Sequence, residues 1–361
     1  MRYARVVRGA PACHLVRVLA SENPEPRRPR WWLPVLAFGV GCVLALVTGE
    51  LAVRVYLFGP WALWPPTMDG LHQIGVSGMI RTSPDLDIQY ELLPNLRAVR
   101  YKEVHVTTNA AGWRDREYML AKPPDTFRVA VIGDSFTMAD GVEIEDVYHS
   151  LLEERLNAQG GRHYEFLNFG VAGYQLPQYV AVIEKRALAY HPDLILVGFS
   201  TNDFIWFEEQ AKVLFSKPYE VKPTEHPFFQ FHLGAWVKTR IAALRAGPDR
   251  QGELPLAPVF RAHVDQQLDA MGAIHRRTGI PICVAYLSYY SAGLREVVAA
   301  VRTAAERNGL AFVDVSAAFP PAQSKRYFIY RDDGHPNVEG HRAFADVLFG
   351  YLLGSGLIPR P

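Results

Sequence analysis

From Phe127 onward, short apolar runs alternate with longer stretches whose apolar positions recur at helical spacing. Val129, Ala130, Val131 and Ile132 form the first run. A continuous apolar run of this length reads as a strand covered on both faces of a parallel sheet. Four more follow at 164–171 (YEFLNFGV), 193–200 (DLILVGFS), 281–287 (PICVAYL) and 311–315 (AFVDV). Between and after them the pattern predicts helices over 147–159, 176–190, 259–278, 294–308 and 338–353, three of them stopped by Gly160, Gly279 and Gly309. Strands and helices in alternation require crossover connections, and so a parallel sheet with helices packed on it. Five such strands predict a flavodoxin-like three-layer α/β/α sandwich with strand order 2-1-3-4-5.

Ahead of this region the pattern changes. Residues 31–48 (WWLPVLAFGVGCVLALVT) carry no charge and are just long enough to cross a bilayer. Arg27, Arg28 and Arg30 precede them and Glu50 follows, which places the N-terminus in the cytoplasm and the rest of the chain outside. An uncleaved anchor is expected rather than a signal peptide, because no small-x-small cleavage site follows. The chain then divides into a basic cytoplasmic tail (1–30), a transmembrane anchor (31–49), a linker and accessory packing segment (50–124) and an α/β domain (125–356). Within the accessory segment, 104–108 (VHVTT) alternates like a short strand, and the turn-rich 109–115 (NAAGWRD) reads as a loop over the sheet edge. One insertion, about 204–258, is aromatic, irregular and holds six prolines. A loop of that length inside a compact domain is expected to be a lid or cap over a ligand site.

Composition narrows the classes. The chain is 49% hydrophobic and 21% charged, which is globular, and its net charge of +1 is uneven. Seven arginines face two glutamates in residues 1–30, so the remainder carries −4. An acidic body argues against nucleic acid as a partner. Cys13, Cys42 and Cys283 suggest no disulfide framework, and the histidines lack ligand spacing, so no metal and no cofactor is expected.

The candidate chemistry gathers at the carboxyl ends of the strands, where open α/β sheets bind ligands. The first strand ends in Gly133-Asp134-Ser135. Asp134 and Ser135 could simply cap a helix, or Ser135 could be a nucleophile if a base and an oxyanion site converge on it. Three other segments end at the same rim: Asn168 to Tyr174, Ser200 to Asp203, and Asp332 to Asn337. His335 is the candidate base and Asp332 the acid that would orient it, with Asp333 as the alternative. A glycine N–H, the Ser135 N–H and an asparagine side chain are suitable donors to an oxyanion.

These four blocks, in this order, resemble the SGNH/GDSL hydrolase superfamily over roughly residues 125–355. The resemblance implies the SGNH hydrolase fold and a Ser135/His335/Asp332 triad. It implies an oxyanion hole of Ser135, Gly173 and Asn202, with Gly170 as the other register for the glycine. Ser200 stands where the family's third block has glycine. The expected activity is that of an extracytoplasmic serine esterase removing acyl groups, O-acetyl foremost, from an acylated carbohydrate or lipid. Two alternatives remain at this point: an O-acyltransferase of the same fold served by a multi-span acyl-donor partner, and a non-catalytic carbohydrate-binding or scaffold protein.

Overall fold

A computed structural model describes residues 31–58, 60–63, 79–102, 104–200, 203, 231, 233–234, 236–237, 240–241, 258–288, 295–320, 325–330 and 333–360. The chain divides into two units, 1–48 and 49–361. Helix α1 (Trp32–Phe58) accounts for what is described of the first and opens the second. It runs past the expected end of the anchor at 49. Glu50 and Arg54 lie one turn apart and pair at 2.7 Å, so the helix continues with its charges matched. Residues Trp32–Tyr56 are long and apolar enough to cross a membrane.

In the second unit the five predicted strands form one parallel sheet. They are β5 (Thr126–Gly133), β6 (His163–Asn168), β7 (Leu194–Phe199), β8 (Ile282–Tyr286) and β9 (Ala311–Asp314). Their spatial order is β6-β5-β7-β8-β9, the expected 2-1-3-4-5. Every residue of β5, β7 and β8 is buried, because side chains alternate between two covered faces. Ala130, Ile132, Ile195, Val197 and Val284 point into one core, and Val129, Val131, Leu194, Leu196 and Cys283 into the other. The first core is closed by α4 (Leu176–Lys185), α5 (Pro258–Thr278) and α6 (Arg295–Arg307). The second is closed by α3 (Tyr148–Asn157) and α7 (Val338–Gly354).

Three details depart from the sequence expectation. The helix expected over 176–190 stops at Lys185 and gives way to a 3-10 turn at Ala187–Tyr190. The second strand ends at Asn168, although the Phe169 and Val171 N–H groups still donate to Val131 and Gly133. The stretch from 79 to 106 is regular: β1 (Ile80–Thr82) pairs with β2 (Tyr90–Leu92), and β3 (Val99–Tyr101) with β4 (Val104–Val106). Ile80, Ile88, Tyr90, Leu92, Val106 and Trp113 join the first core. The expected cap, 204–258, lies almost wholly outside the described residues.

Candidate active site

Ser135 opens a short helix, α2 (Ser135–Met138), immediately after β5. Asp134 is its N-cap, its Oδ1 accepting the Phe136 N–H at 2.9 Å. The helix ends at Ala139 in the left-handed region. Arg114, almost fully buried, clamps this turn by donating to the carbonyls of Met138, Ala139 and Val142. The 109–115 stretch therefore braces the turn that begins at Ser135 rather than only covering an edge.

His335 arrives from the far end of the chain. It lies on β11 (Asp333–Pro336), which pairs antiparallel with β10 (Phe328–Tyr330) just before α7. Its Nε2 is 2.9 Å from Ser135 Oγ. Its Nδ1 meets Asp333 Oδ1 in a short hydrogen bond. A carboxylate only accepts, so Nδ1 carries the proton of the neutral ring and Nε2 is left to accept from the serine hydroxyl. The carboxylate in contact is that of Asp333, where the sequence reading put Asp332 first. The reason is the strand: Asp333 and His335 are two apart on β11 and so share a face. Asp332 itself lies outside the described residues.

Charge around this pair is dense. Lys102, at the turn between β3 and β4, places its Nζ 2.7 Å from Asp333 Oδ2 and 2.8 Å from Asp140 Oδ1. The Tyr101 hydroxyl donates to Asp140 Oδ2 at 3.0 Å. Burial would raise the Asp333 pKa, but His335 and Lys102 hold it well below the usual carboxylate range. Burial and the Asp140 carboxylate push the Tyr101 phenol well up, so it stays a donor. Lys102, Asp140 and Tyr101 belong to no motif, so nothing in the sequence alone marks them.

The remaining site candidates are distributed around Ser135. The loop after β6 runs alongside the end of β5. In it the Gly170 N–H is already taken by Asn168 Oδ1 at 2.8 Å. Gly173 has φ of +81° and its N–H donates to nothing among the described residues. That difference favours Gly173 over Gly170 as a donor to an incoming ligand. Asn202 lies outside the described residues. Ser200 before it bonds Asp134 Oδ2 through its hydroxyl at 2.7 Å, and its N–H donates to Asp203 Oδ2 at 2.7 Å. Burial and the Asp134 charge push the Asp203 pKa far above the ordinary value. Ser200, in place of the family glycine, thus ties the third block to the first.

A family model described as GDSL-like lipase/acylhydrolase matches residues 131–343, more than half of the chain. The chain belongs to the GDSL-like lipase/acylhydrolase family. By that membership it is a carboxylic ester hydrolase of GDSL type, and the matched region runs from β5 into α7. Among solved structures, an α/β hydrolase, LAE5, from the metagenome of Lake Arreo is 19% identical, with 66% of this chain and 99% of that one covered at a TM-score of 0.43. An acetyl xylan esterase, AlAXEase, is 18% identical over 63% of this chain and 100% of that one, at 0.40. A lipase/acylhydrolase from Enterococcus faecalis is 14% identical over 63% and 96%, at 0.40. No curated protein matches this GDSL-like hydrolase. Among the described residues no group of three or more His, Cys, Asp or Glu is placed to hold a metal.

Proposed function

We propose that this GDSL-like hydrolase cleaves acyl esters through Ser135, His335 and Asp333, outside the cytoplasm and tethered by α1. The supporting observation is the hydrogen-bonded chain from Ser135 Oγ through both His335 nitrogens to Asp333. In the first half-reaction Ser135 Oγ attacks the ester carbonyl and its proton passes to His335 Nε2. The Ser135 and Gly173 N–H groups and the Asn202 side chain stabilise the oxyanion. Collapse expels the alcohol, which takes the proton back from Nε2 and leaves an acyl-serine. Water then attacks with His335 again as base, the acid departs, and the serine is restored.

The anchor reading rests on α1. Val35, Leu36, Phe38, Val43 and Leu44 are each at least half exposed, which a core helix would not tolerate. Three arginines flank its N-terminal side and favour an extracytoplasmic catalytic unit. That location points to O-acyl, chiefly O-acetyl, groups on envelope or secreted polysaccharide as substrate.

The test is a fluorophosphonate label on membranes holding the full chain, with mass-spectrometric location of the adduct, beside hydrolysis of p-nitrophenyl acetate without any sugar. Label on Ser135 and turnover lost in Ser135→Ala are expected. Label on Ser135 with turnover only when an acceptor sugar is added would make the protein a transferase. No label at Ser135 would defeat the nucleophile assignment.

A further inference from the structure

His335 lies between two carboxylates. Asp333 takes Nδ1, and Asp140 Oδ2 stands 3.5 Å from Nε2, the nitrogen that must accept the serine proton. Two flanking anions favour the imidazolium form, and an imidazolium cannot act as a base. Lys102 bridges those same two carboxylates, with its side chain only 12% exposed. It reaches them from the β3–β4 hairpin, ahead of the segment matched by the family. Its backbone has φ of +54°, a region where glycine would be less strained, yet a long cationic side chain occupies the position.

Building on the ester-hydrolase reading, we propose that Lys102 is a positioning residue of this active site: its ammonium ties Asp140 to Asp333, offsets their charge, and so opposes protonation of His335 Nε2 where it faces Ser135. Among the described residues, His335 is faced by Asp333 from its own strand, Asp140 from the turn after α2, Lys102 from the hairpin, and the ring of Phe136. Tyr101 adds a hydrogen bond to Asp140, and His341 on α7 is uncharged at neutral pH. Burial pulls the His335 pKa down, Asp140 and Asp333 push it up, and Lys102 opposes them; the balance lies above the ordinary value. Removing the ammonium takes away a cation and frees both anions, so the imidazole must become more basic.

The experiment follows His335 by NMR in the full chain, carrying histidine labelled with 13C at Cε1, in detergent micelles. The signal is assigned by its loss in His335→Gln. Lys102→Met and Lys102→Gln are expected to raise the titration midpoint by about one pH unit, and Lys102→Arg to leave it near the original value. The acid limb of kcat/KM for p-nitrophenyl acetate should move up equally in the neutral variants, with activity recovering above it. An unchanged midpoint in both neutral variants overturns the proposal, as does a rate loss equal at every pH. Failure of both neutral variants to fold also overturns it, since Lys102 would then serve the fold and not His335. If the unaltered chain hydrolyses no ester, the proposed function fails, while the NMR midpoint still decides the role of Lys102.

Discussion

At the scale of single residues, Ser135 Oγ and His335 Nε2 are in contact at 2.9 Å, and the proposed mechanism makes them one unit. Ser135→Ala and His335→Ala should each remove ester turnover, and the double variant should be scarcely worse than either alone. Asp333→Asn should lower kcat by about 10⁴-fold, because an amide can donate to Nδ1 and so hold the wrong tautomer. Asp332→Asn should do far less. Steady-state kinetics on the five variants decides this, and a crippling Asp332→Asn beside a mild Asp333→Asn would return the orienting role to Asp332. The candidate serine and histidine could be picked out because each ends a short block, Gly133-Asp134-Ser135 and Asp332-Asp333-Gly334-His335, that breaks the apolar pattern. The acid was ambiguous because two aspartates are adjacent in the sequence, and only the strand shows that Asp333 shares a face with His335. That choice depends on β10 pairing with β11, which a three-residue and a four-residue strand do not announce in a hydrophobic pattern.

At the scale of elements, the seat of Ser135 depends on backbones in close approach. A Cβ on Gly170 would meet Met138 N at 2.6 Å and Thr137 C at 2.8 Å, both backbone atoms of α2 that cannot rotate away. Gly170→Ala should therefore cost about 1–3 kcal/mol of stability and reduce activity as α2 shifts. Gly350→Ala on α7, where a Cβ meets nothing within 4 Å, should leave both intact or slightly improve stability. Denaturant melts and initial rates on the two variants make the comparison, and equal effects would remove the argument for Gly170. Behind α2 lie two buried histidines. His149 is next to the Thr137 carbonyl, and His341 stacks on Tyr148 with neither ring nitrogen hydrogen-bonded among the described residues. Burial lowers their pKa values to about 4 and about 3. Below pH ~6.5 the unfolded chain takes up protons that the native rings refuse, so this stability is complete above ~6.5 and falls as pH drops toward 4 and 3. His341→Phe keeps the stack and removes one group. Its stability should decline less steeply between pH 6.5 and 4.5, by up to about 1.4 kcal/mol per pH unit. Parallel slopes for the variant and the original chain would show that His341 does not set the acid limit. The helices bearing these histidines were readable from their spacing, but the packing that buries His149 on Thr137 and His341 on Tyr148 was not, since it is tertiary.

At the scale of the whole molecule, the sheet order was legible because the five core strands are short apolar runs separated by long amphipathic stretches. What the chain builds across distance was not: Lys102 meets Asp333 over 231 positions, from a hairpin too short to show a period. The charge distribution works at the same scale. Seven arginines occupy residues 1–30, and the body beyond is acidic. Translocating three closely spaced arginines is costlier than translocating the acidic body, so the cluster Arg27, Arg28 and Arg30 should stay on the cytoplasmic side while α1 inserts. An alkaline phosphatase fused after Pro361, which needs an oxidising compartment to form its disulfides, should therefore be active, and a β-galactosidase at the same point inactive. Replacing all three arginines with asparagine should shift part of the population toward the reverse pattern, since the remaining flank, with Arg17 nearest the helix, opposes translocation less. A cytoplasmic reporter that is active on the unaltered chain would reverse the topology. It would place the esterase site among cytoplasmic acyl esters and remove the case for a polysaccharide substrate, while leaving the Ser135 and His335 chemistry untouched.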